Sequence, residues 1–184
     1  MLKSKPKIRG KLGIMSEKNE LSDAGQHLLK AALVNSLPGV TDALFDPAID
    51  INARDRDGRT ALMSAVSNHN LEIARLLVQR GIDANAADKE EWTALHFAAQ
   101  VRDGVMVGEL VAAGAALEAK DVNGNTPLWR AVMAAQGRGD AIEALLKGGA
   151  DPDQENNKKV SPRALASRIA NYDLAKYFRD IPLK

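Results

Sequence analysis

Apolar residues recur along this chain in short helical bursts separated by polar turns. Leu62, Ala65 and Val66 lie at i, i+3 and i+4, the spacing of one helical face. Asn68-His69-Asn70 interrupts the pattern, after which Leu71, Ile73, Ala74, Leu76, Leu77 and Val78 predict a second, more apolar helix. Gly81 stands where a left-handed glycine would end it, and residues 82–87 read as an extended connector. Ahead of the pair, Asp55-Arg56-Asp57-Gly58 is turn chemistry, and Thr60 is placed to cap the first helix. Both predicted helices fall short of the ~12–15 residues at which an isolated helix persists, so each pair must bury its apolar side on neighbouring pairs.

The pattern repeats. Asp55-Arg56-Asp57-Gly58-Arg59-Thr60-Ala61-Leu62 returns 33 residues on as Asp88-Lys89-Glu90-Glu91-Trp92-Thr93-Ala94-Leu95, and 33 further on as Asp121-Val122-Asn123-Gly124-Asn125-Thr126-Pro127-Leu128. Gly81-Ile82-Asp83-Ala84-Asn85-Ala86 recurs as Gly114-Ala115-Ala116-Leu117-Glu118-Ala119. A fixed period of this length means a stacked solenoid rather than a single globular core. Three blocks are clear: 55–87, 88–120 and 121–155. The last carries two extra residues around Gln136-Gly137-Arg138-Gly139, in the turn between its helices. A weaker copy spans 22–54, with Gly25 aligned to Gly58 and Pro38-Gly39 between its helices. A final copy, 156–180, begins Ser161-Pro162 and predicts two short helices. Atypical end units are expected of such arrays, because their outer faces meet solvent; Arg163, Arg168, Lys176, Arg179 and Lys184 suit a polar cap. Residues 1–21 read as a flexible basic arm and 181–184 as a tail.

Charge and composition narrow the function. The 25 basic and 24 acidic residues leave a net +1, so nucleic acid is not the expected partner of the whole domain. Five cations among residues 1–13 allow a local phosphate or acidic contact there. A frayed terminus, with Met15 as the natural start, explains the same residues. The chain has no Cys, which excludes disulfides, thiolate metal sites and cysteine nucleophiles. No stretch approaches the ~20 apolar residues of a membrane span, and no apolar run follows the basic N-terminus as in a secretory signal. A cytoplasmic monomer without cofactor is the expectation. His27, His69 and His96 show no i, i+3 or i, i+4 metal spacing. Gly137-Arg138-Gly139 lacks the Gly-Lys-Ser/Thr ending of a phosphate loop. No nucleophile elbow is present, and Glu90-Glu91 sits on a solvated turn. The chain does not read as an enzyme.

Asp-x-x-Gly-x-Thr-(Pro/Ala)-Leu, the two-helix body and Gly-x-Asp-x-Asn-Ala together resemble the ankyrin repeat, over about residues 22–180 and five units. Thr93-Ala94-Leu95-His96 and Thr126-Pro127-Leu128 are close to its Thr-Pro-Leu-His signature. Three positions depart from it: Glu91 replaces Gly, Trp129 replaces His, and Glu109 stands at a usually apolar site. The resemblance implies an all-α solenoid of helix-turn-helix units with β-hairpin-like connectors, inner helices lining a concave face and connectors forming fingers. It implies protein binding through fingers and inner helices, and a structural role for His96.

By the same resemblance, the residue before each repeat's Thr is an exposed finger position: Gln26, Arg59, Trp92, Asn125 and Val160. Trp92 is the candidate anchor, since tryptophan is enriched at interface hot spots. Folding back onto its own helix or onto Lys89 is the alternative for it. Val101, Val122 and Met133 would extend an apolar strip, with Gln100 beside it. Arg56, Asp57, Arg59, Lys89, Glu90, Asn123 and Asn125 would supply the polar finger surface. The partner is expected to be a protein, bound by a general scaffold or, alternatively, by a dedicated inhibitor or immunity-type protein that sequesters one enzyme or toxin.

Overall fold

The structure is a computed structural model and describes residues 23–182. Helices come in pairs: α1 (Asp23–Leu33) with α2 (Leu37–Ala43), α3 (Ala61–Ser67) with α4 (Leu71–Gln79), α5 (Ala94–Gln100) with α6 (Gly104–Ala112), and α7 (Pro127–Ala134) with α8 (Asp140–Lys147). After α9 (Pro162–Arg168) comes a 3-10 turn, Ala175–Phe178. The first helices of successive pairs touch in order, α1–α3–α5–α7–α9, and α6 packs along α8 in a second layer.

Capping starts the first helices. The hydroxyls of Thr60 and Thr126 accept the backbone N–H groups of Met63 and Trp129, and Ser161 does the same for Ala164. Each satisfies one N–H that has no partner within its helix. Leu62, Leu95 and Leu128, one residue column at the 33-residue period, are fully buried between the layers, as are Ile73, Leu77, Leu110, Ile142 and Leu145. Alanines at 65, 98 and 131 let the first helices approach closely.

The connectors form fingers held by one repeated device. Asp55 Oδ1 accepts the N–H groups of Asp57 and Arg59; Asp88 serves Glu90 and Trp92; Asp121 serves Asn123 and Asn125; Asn156 serves Lys158 and Val160. The tips then bond in sequence: Lys89 N–H to the Asp57 carbonyl at 2.9 Å, Val122 to Glu90 at 3.2 Å, and Asn157 to Asn123 at 3.1 Å. Strand pairing among the described residues is confined to one bridge, Ala87 with Thr93.

Three expectations are corrected. Gly25 and Gln26 lie inside α1 and not on a finger turn. Pro38 and Gly39 do not separate two helices; they form the first turn of α2, where proline loses no intrahelical bond. A Cβ on Gly39 would meet Ala31 Cβ at 3.0 Å, so this glycine permits the close α1–α2 packing. Near the C-terminus, the second helix is only the short 3-10 turn. Arg163 fixes that segment by a two-pronged pair with Asp153 at 2.7 and 3.0 Å and by bonds to the carbonyls of Phe178 and Ile181, both 2.9 Å. The arm at 1–21 and the end of the tail lie outside the described residues.

Candidate functional site

On the finger side, aromatic and cationic side chains from three successive units meet. Arg59 lies over the Phe97 ring at 5.4 Å, Phe97 is 5.1 Å from Trp92, and Arg130 covers Trp92 at 4.3 Å. Trp129 flanks Arg130 at 5.8 Å. Repeat register explains the meeting. Arg59 and Trp92 occupy the finger column, and Phe97 and Arg130 share the first-helix column begun by Ser64. A cation over an aromatic face is attracted by the ring quadrupole, by about 0.5–1 kcal/mol where exposed and ~2 where desolvated.

Each arginine is tethered to a finger aspartate. Arg59 Nε stands 3.7 Å from Asp88 Oδ2. The inner tether is far tighter. Arg130 donates to Asp121 Oδ2 through both Nε, at 2.9 Å, and Nη2. Asn125 Nδ2 donates to the same oxygen at 3.1 Å, and Asn156 Nδ2 donates to Asn125 Oδ1 at 2.8 Å. The Asp121 side chain has no solvent exposure. Burial by itself would push its carboxyl up; the bonds from Arg130 and Asn125 outweigh that and hold it below the usual carboxylate range.

His96 completes the site from below. Its Nδ1 accepts the Thr93 N–H at 3.1 Å and lies 3.0 Å from the Thr93 hydroxyl; its Nε2 donates to the Asn125 carbonyl at 3.1 Å. A backbone N–H only donates and a carbonyl only accepts, so these contacts define a neutral, Nε2-protonated ring. Burial is the main influence and lowers its pKa, against the Asn125 carbonyl and the charges of Asp121 and Asp88. Both ring nitrogens are engaged in structural hydrogen bonds, the role the resemblance implies. Among the described residues, no group of three or more His, Cys, Asp or Glu side chains could hold a metal.

The expected site residues divide. Arg56, Asp57, Arg59, Lys89, Glu90, Gln100, Val122, Asn123 and Met133 are exposed, Met133 at 58%. Asn125, expected at an exposed position, is 4% exposed, because its amide is consumed between Asp121 and Asn156. Trp92 is half-buried: it folds back over α5 against Phe97 and His96. Val101 does not join it; at the other end of α5 it lines a groove of about 710 Å³ with His69, Arg102 and Asp103. Phe97, Arg130, Asp121 and Asn156 escaped the sequence reading. The columns Ser64/Phe97/Arg130 and Asp55/Asp88/Asp121 carried the signal.

Departures from the repeat pattern have separate outcomes. Glu91 takes a left-handed φ of +62°, where the equivalent Gly58 and Gly124 have +81° and +75°. Glu109 pairs with Arg75 at 2.5 Å on the second-helix layer, which draws its pKa down. Trp129 leaves its buried Nε1 without a hydrogen-bond partner.

Comparison with known proteins agrees with this architecture. The family model for ankyrin repeats (3 copies) matches residues 12–103 and 83–156. The ankyrin repeat and KH domain-containing protein mask-1 of Caenorhabditis elegans is 32% identical over 130 residues, 70% of this chain and 5% of its own length. The neurogenic locus notch homolog protein 1 of Xenopus tropicalis and that of Homo sapiens are each 32% identical over 150 residues, 80% of this chain and 6% of theirs. The chain therefore spans only a small part of these relatives. No helix among the described residues is long and apolar enough to cross a membrane. The stacked helix pairs, the finger ladder and the family match together place the chain in the ankyrin-repeat family, whose repeats are generally non-enzymatic protein-interaction modules.

Proposed function

We propose that residues 22–180 act as one non-catalytic module of five units that binds a partner protein through the finger side of the first helices. The observation that carries this is the aromatic–cation stack Arg59–Phe97–Trp92–Arg130; the next unit adds exposed apolar side chains at Val122 on its finger and Met133 on α7. An apolar centre with a charged rim is interface anatomy, and here Arg56, Asp57, Lys89 and Glu90 supply the rim. Charge balance across the chain favours a protein over a nucleic acid.

Met133→Glu and Val122→Glu test the reading, since both side chains are exposed and their replacement should leave the fold intact. Each should weaken the partner by tenfold or more, about 1.4 kcal/mol, while Val105→Glu, an equally exposed apolar site on α6, should not. Unchanged affinity in both finger-side variants would sink the assignment. Capture of one stoichiometric partner would identify a dedicated inhibitor; many weak ones would identify a scaffold.

A further inference from the structure

The inference that follows rests on that binding reading: the Trp92 ring, packed on Phe97 and His96 of its own unit, is covered by an arginine of the following one. Arg130 lies over the ring at 4.3 Å, and the guanidinium has little freedom because Nε and Nη2 both end on Asp121 Oδ2. Asp121 in turn cannot swing. Its other oxygen accepts the Asn123 and Asn125 N–H groups at 2.9 Å each, and its side chain is sealed from solvent. Asn125 and Asn156 extend the brace into the next finger.

The neighbouring pair is a built-in contrast. Arg59 sits over Phe97 at the longer distance of 5.4 Å, is half exposed, and meets Asp88 only at 3.7 Å. The cation is therefore loosely held at Phe97 and braced at Trp92. Immobilising a side chain before encounter spares the complex the entropy of ordering it afterwards.

We propose that Arg130, locked by Asp121, is a positioning residue that fixes the Trp92 indole for the binding face. It acts through Trp92 and forms part of the stack rather than of the exposed rim.

The test needs no partner. In a Trp129→Phe background Trp92 is the sole tryptophan, so its acrylamide quenching, fluorescence anisotropy and near-UV circular dichroism report its ring alone. Arg130→Met should raise quenching severalfold, lower the anisotropy and flatten the near-UV band; Asp121→Asn should move all three the same way. Arg130→Lys keeps charge and stem but loses the two-pronged bond, and should fall between. Arg163→Met is the control for general loosening: it removes the C-terminal anchor and should lower the urea midpoint without moving the Trp92 signals. Should Arg130→Met fail to fold, Arg130→Lys against the same control decides.

Trp92 signals identical to the parent in the folded Arg130 variants would overturn the proposal, as would an equal change in Arg163→Met. A loosened Trp92 with undiminished affinity for a captured partner would uphold the positioning and remove the binding reading, so the two fail separately.

Discussion

The units at 88–120 and 121–155 share a backbone plan and use it differently. At the residue before the helix cap, Trp92 remains half open, whereas Asn125 is enclosed by Asp121 and Asn156. At the third residue of the first helix, His96 satisfies both ring nitrogens; Trp129 satisfies none. At the finger turn, Glu91 strains where Gly124 does not. A repeat position therefore sets where a side chain starts, and the next unit's chemistry decides whether it becomes surface or core.

The largest expected effect separates the two finger aspartates. Asp121→Ala strands a largely buried Arg130 and two backbone N–H groups, and should cost about 3–5 kcal/mol in urea unfolding. Asp88→Ala loses the same turn bonds but frees a half-exposed Arg59, and should cost about 1–3 kcal/mol. Equal losses would break the contrast.

Next is the signature position. His96→Phe leaves the Thr93 N–H and the Asn125 carbonyl unpaired, a loss of about 2–3 kcal/mol. Trp129→Phe removes a donor that has no partner and should cost no more than about 1 kcal/mol.

The same histidine sets a pH dependence. Its folded pKa is lowered, so its contribution is complete above the unfolded value of about 6.5 and is lost as pH falls below it. Asp121, also depressed, holds its contribution above about 3.9 and loses it as pH drops through the folded value. Urea midpoints between pH 7.5 and 5 should fall for wild type, and this His96-dependent slope should be absent from His96→Phe.

The smallest effect has opposite signs in the two units. Glu91→Gly relieves a left-handed residue and should stabilise by about 0.5–1 kcal/mol. Gly124→Ala should destabilise, because φ is +75° and a Cβ would press on Asn157. Thermal melts of both variants suffice; two shifts of the same sign would contradict the turn analysis.

The solenoid was legible because the 33-residue period repeats turn, cap and core together. Thr60, Leu62, Ala65 and Gly81 each carry a local reason that agrees with the fold. At the first unit the reading failed locally, because Gly25 was aligned to a turn glycine while helix-compatible residues surround it. The site was legible only in part. Arg59, Lys89, Val122 and Met133 follow from register alone, and they are exposed. The burial of Asn125 depended on Asn156, 31 residues away, and the stack on Trp92 depended on Arg130. Such contacts between units become visible only when the period is read column by column.

The proposed function stands or falls on which face binds. A pull-down from native cell lysate, comparing wild type, Met133→Glu, Val122→Glu and Val105→Glu by quantitative mass spectrometry, tests it most directly. Captured protein, whether one partner or several, should be depleted by both Met133→Glu and Val122→Glu and retained by Val105→Glu. A partner kept by the first two and lost with Val105→Glu would place recognition on the second-helix layer and contradict it.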